Sequence, residues 1–121
     1  MDIMSFAWTT EAYLKGLKTE TRRVWSPEYA RRFKKDKLVQ AYDRQPRFRG
    51  MKIGINRLTK DAYQQWLHEM TMENIRKEGG LWNSVEEFIE LFGGDAEVWV
   101  VEFDVVEKLS WDEYRRLRGK K

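Results

Sequence analysis

The stretch Glu97-Val98-Trp99-Val100-Val101-Glu102-Phe103-Asp104-Val105-Val106 constrains the fold more than any other segment. Ten residues rich in β-branched and aromatic side chains pass there without a glycine or a proline. Alternation puts Trp99, Val101, Phe103 and Val105 on one face, and Glu102 and Asp104 on the other together with Val98 and Val100. The pattern predicts a central strand with Trp99 in the core. Shorter apolar runs at residues 3–8, 38–43 and 51–58 read as further strands, the last with Met51, Ile53 and Ile55 on one face.

Helix signals fall between these runs. Thr9 and Thr10 precede Glu11-Ala12-Tyr13-Leu14, a short helix that Gly16 ends. Ser26-Pro27 opens a second over residues 28–33, with Arg31, Arg32 and Lys34 as its basic face. Residues 71–78 form a third, stopped by Gly79-Gly80, and capping pairs Ser84/Glu87 and Ser110/Glu113 open helices over residues 85–92 and 112–117. Strands and short helices mixed without a regular βαβ rhythm predict the α+β class.

With 121 residues the chain can close one core. Cysteine is absent, so disulfides and thiolate chemistry are excluded, and a reducing, cytoplasmic setting is expected. Neither a leader pattern nor an eighteen-residue apolar run is present, which predicts neither export nor membrane insertion. The net charge of +3 hides a segregation: residues 15–60 carry fifteen Lys/Arg against four Asp/Glu, and residues 61–114 three against fourteen. Arg115, Arg116, Arg118, Lys120 and Lys121 then form a cationic tail. A positive face suited to phosphate is one reading, and mutual neutralisation of the two halves is the other.

The positive charge is densest in Lys15-Gly16-Leu17-Lys18-Thr19-Glu20-Thr21-Arg22-Arg23. Gly16-x-Lys18-Thr19-x-Thr21-Arg22, followed in order by Lys77-Glu78-Gly79-Gly80 and the closing strand, resembles the signature of the ASCH domain family within the PUA-like superfold. The match runs from about Ile3 to Asp104, so residues 1–106 are expected to form the domain and residues 107–121 a C-terminal helix and basic tail packed on it or trailing from it. The resemblance implies a small, mostly antiparallel β-barrel flanked by short helices, with a cleft for RNA or a nucleotide. Some members of that family are amidohydrolases that deacetylate N4-acetylcytidine. For those, the resemblance assigns Lys18 as base, Thr21 as nucleophile and Glu78 as the third group.

Three readings stand side by side. In the binding reading, Lys18, Thr21, Arg22 and Arg23 hold RNA or a modified nucleoside. Tyr42, Arg44 and Arg47 then grip a single strand, and Trp8 and Trp25, which bracket the signature, line the cleft. The catalytic reading needs a neutral Lys18 amine and a bent backbone, since a spacing of three in a flat strand sends Lys18 and Thr21 to opposite faces. A third reading is a protein-interaction adaptor that docks through the acidic helices or the basic tail. His68 is the lone histidine, and Glu86, Glu87 and Glu90 read as a solvated helix face, so no metal and no cofactor are predicted.

Overall fold

A computed structural model describes residues 1–119; Lys120 and Lys121 of the predicted tail lie outside the described residues. Strand β6 (Glu97–Lys108) organises the sheet. Strands β2 (Glu20–Arg23) and β5 (Tyr63–Trp66) both pair with Trp99 and Val100, so they occupy opposite edges of β6. Strand β4 (Lys52–Leu58) pairs with the later half of β6, β3 (Leu38–Tyr42) runs antiparallel to β4, and β1 (Ile3–Ser5) adds parallel to β3. The order is β1-β3-β4-β6-β2, with β5 also on β6.

Register shifts at Ala41/Tyr42 and Ile55/Asn56 bend the strands. The sheet curls into a mostly antiparallel half-barrel with short helices around it, the expected α+β class. β1 and β2, at the two ends of the order, are bridged by a side chain: Arg23 Nη2 donates to Ser5 O at 2.8 Å.

Helices α1 (Thr10–Leu14), α2 (Pro27–Ala30), α3 (Met72–Lys77), α4 (Val85–Glu90) and α5 (Trp111–Gly119) sit where capping signals placed them. Ser26 Oγ accepts from Tyr29 N, Ser84 Oγ from Glu87 N, and Ser110 with Glu113 closes a reciprocal box. α2 and α4 are shorter than predicted, ending at Ala30 and Glu90.

Three expectations need correction. β6 is buried on both faces. Val101 and Phe103 join one core with Phe6, Tyr13 and Phe33, while Val98 joins a second with Leu67, Ile75, Trp82 and Phe88. Helices α3 and α4 cover the face that the sequence pattern gave to Glu102 and Asp104, and Trp99 is only half-buried, between Arg23 and Gln64 on the neighbouring strands. In β4 the register shift breaks the expected alternation: Asn56 is buried and accepts from Tyr13 Oη at 2.6 Å, and Met51 precedes the strand. Strand β5 was not predicted, because Gln64 and Gln65 hide its β character.

The C-terminal helix is fastened to the end of β3. Asp43, 3% exposed, accepts from Arg118 Nε at 2.6 Å and Nη2 at 2.9 Å, from Tyr114 Oη at 2.8 Å and from Met51 N at 2.7 Å. Burial alone would push its carboxyl up. The bonds from Arg118, Met51 and Tyr114 outweigh that and hold it below the ordinary carboxylate value. A folded value under the unfolded one means that Asp43 contributes stability in full above the unfolded pKa, and that this is lost as pH falls through the folded value. Asp43→Asn is therefore expected to cost about 1.5–3 kcal/mol at neutral pH. In urea titrations at successive pH values, the gap to wild type should shrink once the pH drops below about 4.

Candidate functional site

Two helix ends build the site by the same device. After α1, Leu17 N donates to Ala12 O and Gly16 N to Tyr13 O, the Schellman pattern, with Gly16 at φ +77°. After α3, Gly80 N donates to Ile75 O and Gly79 N to Arg76 O, with Gly79 at φ +128°. The two ends touch: a Cβ on Gly79 would stand 3.0 Å from Ala12 Cβ. One turn sends Lys18 inward and the other leaves Glu78 at the end of α3, opposite it. Thr19 pins the segment, donating its N–H to Lys77 O at 2.8 Å and accepting from Phe103 N at 3.0 Å.

Glu78 is the hub of a buried ion network. Its Oε1 accepts from Lys18 Nζ at 2.7 Å and its backbone carbonyl from the same nitrogen at 3.0 Å. Its Oε2 accepts from Arg22 Nη1 at 2.9 Å, which also reaches Glu20 Oε1 at 2.8 Å. Asn74 Nδ2 completes Glu20, and Gln65 Oε1 accepts from Arg22 Nε at 3.0 Å. All four charged side chains are at most 3% exposed. Arg22 Nη2 is buried without a partner among the described residues.

Arg23 stands apart from this pairing. Its Nε donates to Thr21 Oγ1 at 3.1 Å, its Nη2 to Ser5 O, and no carboxylate lies within ion-pair reach among the described residues. Three cations thus meet two carboxylates, leaving one net positive charge beside Thr21. Burial pulls the Lys18 amine below its ordinary value. Glu78 opposes this, while Arg23 and Arg22 add to it.

A cleft of about 250 Å³ opens above the network. Lys18, Thr21, Arg22, Arg23 and Glu78 form its polar side, and Phe6, Trp8, Trp82, Phe88 and Phe92 its aromatic side. Trp8 meets Trp82 edge-on at 5.3 Å, and Trp82 meets Phe88 edge-on at 4.6 Å. Trp8 is 61% exposed, a ring available at the mouth. The volume falls just below the roughly 300–1,000 Å³ of pockets for drug-sized ligands, so it suits a single ring system.

The structure brings together Lys18, Thr21, Arg22, Arg23, Glu78 and Trp8. Lys18 and Thr21 share the cleft because β2 begins only at Glu20, so the flat-strand geometry does not separate them. Trp25 lies elsewhere, stacked on Phe33 at 4.3 Å and edge-on to Tyr29 at 5.0 Å. Tyr42, Arg44 and Arg47 also lie outside the cleft lining, on the end of β3 and the following loop. Lys15 is exposed and paired with Glu11. Sequence reasoning missed Glu20, Gln65 and Asn74 as partners of Arg22 and Glu20, and missed Phe6 and Trp82 as walls. The carboxylate of Glu20 inside the cationic cluster was the available signal.

No protein-family profile matches the chain, and no curated protein matches it in sequence. Solved structures do match in shape. Protein EF3133 from Enterococcus faecalis V583, of the family model DUF984, superposes with a TM-score of 0.68 at 16% identity, over 89% of this chain and 81% of that one. An ASCH protein from Zymomonas mobilis superposes with a TM-score of 0.57 at 16% identity, over 98% of this chain and 79% of that one. A mutant of the same protein gives a TM-score of 0.56 at 15% identity over 98% and 81%. The chain has the ASCH-type, PUA-like fold.

Removing the hub carboxylate leaves Lys18 buried with no carboxylate partner. Glu78→Ala is expected to lower the unfolding free energy by about 3–5 kcal/mol in urea titration, the usual cost of orphaning a buried charge. Adding Lys18→Met to that variant should recover part of the loss.

Proposed function

We propose that this ASCH-type domain binds RNA through one base, or a modified nucleoside, held in the cleft. The observation that carries the reading is the meeting of an aromatic wall with buried, partly unsatisfied donors in a space of about 250 Å³. A planar heterocycle stacks on Trp8, while Arg22 Nη2, Arg23 and the Thr21 hydroxyl offer hydrogen bonds to a carbonyl-bearing edge. The net positive charge beside Thr21 favours electron-rich oxygens over amino groups. Glu78 and Glu20 hold Lys18 and Arg22 in place, and Thr21 with Ser5 holds Arg23, so little ordering remains to be done on binding.

Titration of cytidine and N4-acetylcytidine, followed by tryptophan fluorescence, tests this. A saturable change is expected, weakened about fivefold to a hundredfold by Trp8→Ala and about tenfold by Arg23→Ala. No saturable change with either nucleoside would refute it.

The lowered basicity of Lys18, in one cleft with Thr21 and Glu78, favours a second reading: hydrolysis of an acyl amide on a pyrimidine nucleoside. The neutral amine of Lys18 takes the Thr21 hydroxyl proton as the oxygen attacks the acyl carbon. The C–N bond breaks, that proton passes to the leaving amino group, and water then releases acetate from the threonine ester. Arg23, already donating to Thr21 Oγ1, would stabilise the developing negative charge. In the free protein Lys18 is bonded to Glu78 and Thr21 to Arg23, an arrangement that ranks binding first. Chromatography of N4-acetylcytidine incubations decides between them. Under this reading cytidine and acetate appear, and Lys18→Ala or Thr21→Ala reduces the rate at least about a hundredfold. Binding without turnover excludes it.

A further inference from the structure

The loop between β3 and β4 carries a feature that the cleft does not use. Phe48 is 60% exposed, an aromatic ring turned to solvent. Arg47 lies over that ring at 5.0 Å. Arg44, Arg47 and Arg49 are all exposed, and none reaches a carboxylate among the described residues.

This loop is held rather than loose. Pro46–Phe48 forms a single 3-10 turn, and Phe48 N and Gly50 N both donate to Gln45 O, at 2.9 and 3.1 Å. A Cβ on Gly50 would lie 1.9 Å from Arg44 O, so the turn closes tightly on itself. Asp43 and Met51 bond in both directions across the loop's base, and Arg118 Nη2 donates to Arg49 O at 2.8 Å. The helix that anchors to Asp43 therefore also braces the loop from behind.

The loop adjoins the cleft. Ser5 lines the cleft and offers its carbonyl to Arg23, and Gln45 Nε2 reaches Ser5 Oγ at 3.4 Å. A chain leaving the cleft past Ser5 meets Gln45 and then the three guanidiniums and the ring.

We infer that the 44–50 loop is a preorganised platform for the nucleotides adjoining the base in the cleft, so that the ligand is single-stranded RNA rather than a free nucleoside. The inference rests on the base-binding reading of the cleft. Phe48 stacks one base, and Arg44, Arg47 and Arg49 meet phosphates. An exposed ring face can stack only on an unpaired base, which selects a single strand over a duplex. Because its backbone bonds are already made, the loop loses little freedom on binding.

Anisotropy titration of a labelled eight-nucleotide oligoadenylate RNA, alongside fluorescence titration of cytidine, tests the platform. Phe48→Ala is expected to weaken the octamer about fivefold to a hundredfold, Phe48→Trp to restore it, and both to leave cytidine binding within about twofold. Arg47→Ala should flatten the log–log salt dependence by roughly 0.7, one phosphate on a single strand. Octamer affinity and salt slope unchanged in Phe48→Ala and Arg47→Ala overturn the platform even where cytidine still binds. Displacement of the octamer by polyglutamate at equal charge concentration overturns it too, by showing a surface for acidic polymers in general. Failure of cytidine and its acetyl derivative to bind wild type, with octamer binding still sensitive to Phe48, refutes the cleft reading and with it the platform as the cleft's neighbour, leaving the loop as a separate single-strand contact.

Discussion

The carboxylate of Glu78 decides what the cationic segment can be. Lys18 and Arg22 are buried, and a buried cation without a counter-charge neutralises itself or drives the structure apart. Glu78 gives one oxygen to each, and Glu20 takes the other side of Arg22. The helix end that presents Glu78 packs against the helix end that releases Lys18, so backbone and ion pair enforce the same approach. With that junction in place, Arg23 is left as the unneutralised charge and points across Thr21 to β1. The chemical character of the cleft follows from this division between matched and unmatched cations.

Much of the fold was legible because local signals agreed with tertiary ones. Ser26-Pro27, Ser84 and Ser110 marked helix starts that the structure keeps, and the run at Glu97 marked the strand on which the sheet is built. What escaped were features created by partners distant in sequence. Val98 looks like one half of an alternating pair until α3 and α4 cover it, and Tyr63-Gln64-Gln65-Trp66 becomes a strand only because β6 offers a free edge. The register shift in β4 likewise has no local mark, and it reassigns Asn56 from the outer face to a hydrogen bond with Tyr13.

The site was legible to a similar depth. Glycine followed by lysine, threonine and paired arginines announced a polar cluster, and the structure gathers Lys18, Thr21, Arg22 and Arg23 round one hollow. Proximity in sequence misled for Trp25, whose ring follows β2 outward and finishes on Phe33. The walls came from far along the chain: Trp82 and Phe88 precede and occupy α4, and only folding sets them opposite Trp8. Neutralisation by Glu78, sixty residues from Lys18, was likewise invisible to charge counting.

At the seam between β1 and β2 the half-barrel is joined, among the described residues, by the Arg23 guanidinium rather than by a backbone ladder. Parting two laddered strands would break several backbone hydrogen bonds in concert; swinging one arginine breaks its bonds to Ser5 O and Thr21 Oγ1 and leaves every strand register intact. The hollow can therefore open toward this seam by a change of one side-chain rotamer, with no local unfolding. The same guanidinium that closes the seam carries the charge that Glu78 and Glu20 leave unmatched.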